Sequence, residues 1–198
     1  MSAERFARLL KRIDALNQDD PTQELVDGKS LPREYAYSQR LTDWVLRLDP
    51  QASEPLRIAA RGQHVRRWTI PREQYPRTRA GYLKWRETLK RFHADTITAL
   101  MREESYPEET VARVARLIMK KDLGADPDTQ TLEDALCLIF LEIQLADLRQ
   151  KTAEPALLEA LRKSWKKMSP RARELALALP LGEAERALVE RALASGEF

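Results

Sequence analysis

The chain has 198 residues, 43% of them hydrophobic and 33% charged, which allows one substantial core and excludes a low-complexity or fibrous protein. A single cysteine, Cys137, excludes an internal disulfide framework, and no apolar window approaches the roughly 20 residues of a membrane span. The net charge is only +3, yet residues 57–91 hold eleven Lys/Arg against Glu73 and Glu87, so the remainder of the chain is net acidic.

In chain order, nearly every segment carries a helical period. Phe6, Leu9, Leu10, Ile13 and Leu16 form a first stripe, ended by Asn17-Gln-Asp-Asp-Pro21. A loop through Gly28 leads to Ser30-Leu-Pro32, read as a helix start, and Tyr37, Leu41, Trp44, Val45 and Leu48 make the next stripe. Ser53 is placed to cap a third helix running to about Trp68. Pro71 and Pro76 then hold an irregular basic loop, after which Tyr82, Trp85, Leu89, Phe92, Thr96 and Leu100 line one face of a long helix. Ser105 and Pro107 open another, with Val111, Val114, Leu117 and Ile118 inward, and the segment 122–127 breaks it.

Thr131 is read as the start of a helix over 132–149, apolar on most sides between 135 and 145 and therefore expected to be buried, with Cys137 as a core residue. Three shorter helices are expected at about 153–167, 170–179 and 183–195. No repeat and no convincing strand is visible, so the fold is expected to be an all-α, single-domain helical bundle. Residues 1–179 would form the domain, and 180–198 a C-terminal helix either packed on it or appended. The opening Met1-Ser-Ala-Glu-Arg-Phe has no apolar signal core, and the cytoplasm is the expected location. Oligomeric state is left open.

The only two histidines, His64 and His93, lie near the ends of the basic stretch. Spacing places both toward the inner faces of their helices, where two imidazoles could share a divalent metal of unknown identity, with Asp95, Glu133 or Asp134 supplying oxygen. The alternative is a pair of core-edge histidines bonded to backbone carbonyls. Glu133 and Asp134 likewise have a local reading, since Thr131-Leu-Glu-Asp134 has capping-box spacing. Arg61, Arg66, Arg67, Trp68, Arg72, Tyr75, Arg77, Tyr82 and Arg86 interleave guanidiniums with rings, which suits the phosphate of a small molecule or nucleotide, or an RNA surface. The bland alternative pairs those arginines with acidic helices at Glu103, Glu104, Glu108 and Glu109. Lys167-Met-Ser169 echoes a synthetase signature loop, but Ser169-Pro170 is better read as N-cap and first helical residue.

Asp14, Asn17, Asp20-Pro21, Tyr37-Ser-Gln-Arg40, Ala59 to Trp68, Pro71-Arg72, Tyr75-Pro76, Gly81-Tyr82, Trp85-Arg86, His93, Leu132-Glu-Asp134 and Trp165 to Ser169 together resemble the domain of unknown function 4202 family, up to about residue 179. The order of elements also resembles the all-α HD superfamily of metal-dependent phosphohydrolases. That second resemblance implies a divalent metal held by His64, His93 and Asp134, with Glu133 as a further ligand or base. It implies hydrolysis of a phosphorylated small molecule or nucleotide, with the arginines neutralising phosphate. Val65 stands where that superfamily has the aspartate of its His-Asp pair, and Tyr37 or Arg40 where it has its first histidine. A non-catalytic RNA- or nucleotide-binding module using the patch of residues 57–91 is the other expectation.

Overall fold

The computed structural model describes residues 2–26 and 28–194. Among these residues the protein is all-α apart from one two-stranded antiparallel hairpin. None of its helices is long and apolar enough to cross a membrane. The chain divides into two compact units, with the boundary between Asp122 and Leu123.

The first unit opens with α1 (Ser2–Gln18), then β1 (Gln23–Val26) and β2 (Lys29–Pro32), which pair with Glu24 opposite Leu31. This hairpin corrects the expectation of no strand. Each strand has only four residues and no fully buried position, and Leu25 is 76% exposed, so no apolar alternation marks it in the sequence. Backbone bonding and the positive φ of Gly28 (+77°) support it instead.

Helix α2 (Arg33–Leu48) follows directly, buried along Ala36, Tyr37, Leu41, Trp44 and Val45. Ser53 accepts from the N–H of Leu56 and caps α3, but α3 ends at Gly62 rather than near Trp68. Two 3-10 turns, Arg67–Thr69 and Arg72–Gln74, carry the basic loop to α4 (Arg79–Glu103). Helix α5 (Glu108–Ile118) closes the unit. Helices α4 and α5 both end in left-handed residues, Ser105 at φ +57° and Lys120 at φ +54°, with N–H groups of the next residues closing back on Met101 and Arg116. The core of this unit is Leu9, Ile13, Leu41, Leu56, Ile58, Ile97, Met101, Leu117 and Ile118, all fully buried.

The second unit starts with α6 (Pro127–Ile139), capped by Asp126, whose carboxylate accepts from the N–H of Asp128. The expected start at Thr131 is corrected, because Pro127 fits the first helical position and an Asp precedes it. Thr131 lies inside the helix and forms no capping box. The expected continuous helix to 149 is interrupted by a π turn (Phe140–Gln144) before α7 (Leu145–Lys151). Helices α8 (Glu154–Lys167), α9 (Pro170–Leu177) and α10 (Glu183–Ala194) follow, and Ser169 caps α9 as expected. Helix α10 packs within this unit on α7 and α8, with Arg149 bound to Glu185 and Arg191 to Glu154 at 2.8 Å each. Cys137 is buried.

Candidate functional site

Four segments of the first unit build a buried polar cluster. The loop after α1 supplies Asp20, whose two carboxylate oxygens accept from the N–H groups of Thr22 (2.9 Å) and Glu34 (3.0 Å). Asp20 thereby satisfies one of the orphan donors of α2 from outside the helix and fixes its first turn, which carries Glu34. Tyr37 stands one turn further along. The chain leaves α3 at Gly62, where an added Cβ would collide with the side chain of Ile97 on α4. This close approach brings the turn after α3 against α4. Arg66 in that turn is left-handed (φ +50°, ψ +32°), and its N–H donates to Oδ1 of the fully buried Asn17 at 3.2 Å.

The turn lays the His64 ring flat on Tyr37, centroids 4.2 Å apart and planes within 11°. Nδ1 of His64 lies 3.3 Å from Oε2 of Glu34, and the His64 and His93 centroids are 6.0 Å apart. Nδ1 of His93 is 2.9 Å from the carbonyl oxygen of Val65. A carbonyl only accepts, so Nδ1 carries the proton and Nε2 keeps a free lone pair. That Nε2 is buried without a hydrogen-bond partner among the described residues, and His93 as a residue is 2% exposed.

Burial dominates the electrostatics of this cluster. It pushes the Glu34 carboxyl up to about 7, with Arg67 opposing and Asp20 reinforcing the rise. Burial lowers both histidines: His64 falls well below its ordinary value, helped by Arg67, Lys120 and Arg86, and His93 falls to about 3, helped by His64 and Arg67. The close approach of Glu34 and His64 is therefore a contact between a neutral imidazole and a carboxyl near half-ionised at neutral pH, and not an ion pair.

A layer of arginines adjoins the cluster. Arg67 lies 3.9 Å from Oε1 of Glu34, and its guanidinium sits 4.7 Å from the Trp85 ring centroid. Arg72 is 5.9 Å from Trp85 and 6.0 Å from Tyr82, and Arg86 is 5.8 Å from Tyr82. Trp85 is anchored by its indole N–H on the carbonyl of Ile70 (2.9 Å), and Arg72 by the carbonyls of Tyr75 and Pro76 (2.8 Å each). Among the described residues, neither Arg72 nor Arg86 has a carboxylate partner.

The remaining expected residues fall elsewhere. Arg61 is taken by Asp14 at 3.4 Å and is largely buried. Arg66 and Arg77 are exposed, and Trp68 and Tyr75 half-buried. The acidic helices do not absorb the basic stretch: Glu103 and Glu104 pair with Arg8 and Arg12 of α1, and Glu108 with Arg102. In the second unit, Oδ1 of Asp134 accepts from the N–H of Ser169 and from Gln130 (2.9 Å each), and Glu133 accepts from Lys167 (3.0 Å). Both carboxylates thus brace the turn between α8 and α9. Glu34, Asn17 and Asp20 were not among the expected site residues. Glu34 reads in sequence as an ordinary first-turn acid, and only its burial beside His64 distinguishes it.

Among the described residues, no three of His, Cys, Asp and Glu come together as a metal site. Within the first unit, His64 and His93 have no third His, Cys, Asp or Glu to complete a divalent-metal site among the described residues, and the chemistry proposed below is routed through no metal.

This all-α architecture, with its arginine-rich turn and paired histidines, falls in a family defined by sequence. The chain belongs to the family described as domain of unknown function (DUF4202), whose profile matches residues 7–189. No curated protein and no solved structure matches it.

Proposed function

We propose that the first unit binds a phosphorylated small molecule or nucleotide and hydrolyses its phosphate ester. The observation that carries this reading is the gathering of Arg67, Arg72 and Arg86 around the Tyr82–Trp85 pair beside Glu34, His64 and His93, with Glu34 as the one carboxylate against Arg67 among the described residues. Three guanidiniums on one aromatic pair repel one another and are relieved by an anion, and guanidinium forks match phosphoryl oxygens. Tyr82, 41% exposed, offers a face to a base or sugar. Glu34, held near 7, takes a proton from the attacking water as its oxygen bonds to phosphorus; the P–O ester bond breaks, the arginines stabilise charge on the phosphorus-bound oxygens, and the leaving alcohol oxygen takes up a proton from Glu34 or solvent.

The test is a screen of phosphorylated metabolites for phosphate release, with pyrophosphate binding measured in parallel. Glu34→Gln is expected to reduce turnover roughly 100-fold or more while leaving binding near the parent value. Arg67→Ala is expected to weaken binding about ten- to hundredfold. Full activity in the Glu34→Gln variant would sink the reading.

A second reading is favoured by the exposed cations Arg66, Arg77, Lys84 and Arg86 of the same stretch, with Arg86 over the exposed Tyr82: a non-catalytic RNA-binding surface. Its signature is an RNA affinity that falls steeply with salt through counterion release. Salt-independent or absent RNA binding removes it.

A further inference from the structure

We propose that His93 is a specificity-determining residue whose Nε2 accepts a hydrogen bond from a hydroxyl of the ligand, so that the site takes the phosphate ester of a sugar or other polyol and not a bare phosphate. This rests on the phosphate-binding reading above and adds to it the second half of the ligand.

The tautomer is set by geometry. With Nδ1 donating to Val65 at 2.9 Å, Nε2 is a lone-pair acceptor. It lies in a buried position with no partner among the described residues, and an unmatched buried acceptor is costly to keep. Arginine and lysine, the usual partners of a phosphate site, are all donors and could satisfy it, yet none is bonded to it among the described residues. A fully ionised phosphate has only acceptors and cannot satisfy it either. The group that matches is an O–H or N–H brought by the ligand. Arg67 is 3.9 Å from Glu34, Glu34 is 3.3 Å from His64, and the His64 ring is 6.0 Å from that of His93. Arg67 and His93 are thus linked through Glu34 and His64 in one cluster, and the proposal puts the phosphate on the arginines and the ligand hydroxyl at His93. Neutral imidazoles suit this role, since His93 is held far below protonation at neutral pH and reads as an acceptor throughout.

Two measurements on the full chain test it. Nitrogen-15 NMR of the histidine side chains should show His93 as the Nδ1–H tautomer, with its Nε2 resonance moving on addition of ribose 5-phosphate and not of methyl phosphate. In a binding titration, ribose 5-phosphate should bind roughly ten- to hundredfold more tightly than methyl phosphate. His93→Leu should abolish that preference, and His93→Gln, which keeps an acceptor oxygen, should retain part of it. Should the Leu variant fail to fold, the two wild-type measurements still decide. An Nε2–H tautomer, equal affinities for the two phosphates, or capture of the Nε2 lone pair by added zinc or manganese would each overturn the proposal. Equal affinities would leave the phosphate-binding reading standing, whereas failure of both phosphates and pyrophosphate to bind would end both.

Discussion

Arg66 holds a left-handed backbone (φ +50°) that L-residues other than glycine and asparagine rarely adopt, at a cost of about 1 kcal/mol. Its N–H is received by the buried Asn17, while its exposed guanidinium has no partner among the described residues. An arginine kept where glycine would be more comfortable argues for a use of the side chain. Arg66→Gly is therefore expected to raise the urea midpoint of unfolding while lowering, several-fold, the affinity for RNA on the surface of the second reading. A purely structural residue would not move the two in opposite directions. Asn17→Ala should act the other way on stability, costing about 1–2 kcal/mol by stripping the acceptor from the Arg66 N–H. Neither residue announces this in the sequence, where Arg66 is one of a run of arginines and Asn17 a helix-ending signal.

At the scale of elements, α3 and α4 meet at Gly62, where the absence of a side chain lets Ile97 close in. Gly62→Ala is expected to destabilise the fold by about 1–3 kcal/mol through overpacking, read as a lowered thermal midpoint. Because His93 is one turn before Ile97 and His64 two residues after Gly62, the same variant should also loosen the His64–Tyr37 stack and weaken anion binding. Gly81 plays a comparable part at the start of α4, where a Cβ would meet the carbonyl of Pro76 and disturb the loop that anchors Arg72. The helices themselves were largely legible. Ser53 and Ser169 cap where their hydroxyls and the following Pro predict. The hairpin was not, because four-residue strands with no buried face leave no periodic mark. The end of α3 was missed because apolar spacing continues past Gly62 to Val65 and Trp68, while the backbone turns for a reason that lies on α1 and α4.

For the whole molecule, the buried cluster gives stability a composite pH dependence. The Glu34 carboxyl is raised from 4.5 to about 7, so its contribution is complete below pH 4.5 and lost as pH rises toward 7, on the order of 3 kcal/mol. His93 is lowered from 6.5 to about 3, so its contribution grows as pH rises from 3 to 6.5, and His64 acts in the same direction. Between pH 4.5 and 6.5 the carboxyl and the two imidazoles oppose each other. Urea midpoints for Glu34→Gln should therefore climb more steeply with pH across 4.5–7 than those of the parent. Parallel profiles would mean that Glu34 is not protonated inside the fold.

The sequence by itself determined the all-α class, most helix boundaries, the burial of Cys137 and the concentration of positive charge in residues 57–91. These follow from apolar period, caps and local charge, which act over a few residues. Only the tertiary structure decided that Glu34 stands beside His64, that His93 binds the Val65 carbonyl, that Asp134 receives the Ser169 N–H, and that Arg67, Arg72 and Arg86 gather on Tyr82 and Trp85. Those groups are separated by up to about 35 residues in the chain. Their meeting depends on close packing at points such as Gly62 against Ile97 and on buried polar partners such as Asn17 and Asp20, neither of which leaves a periodic trace.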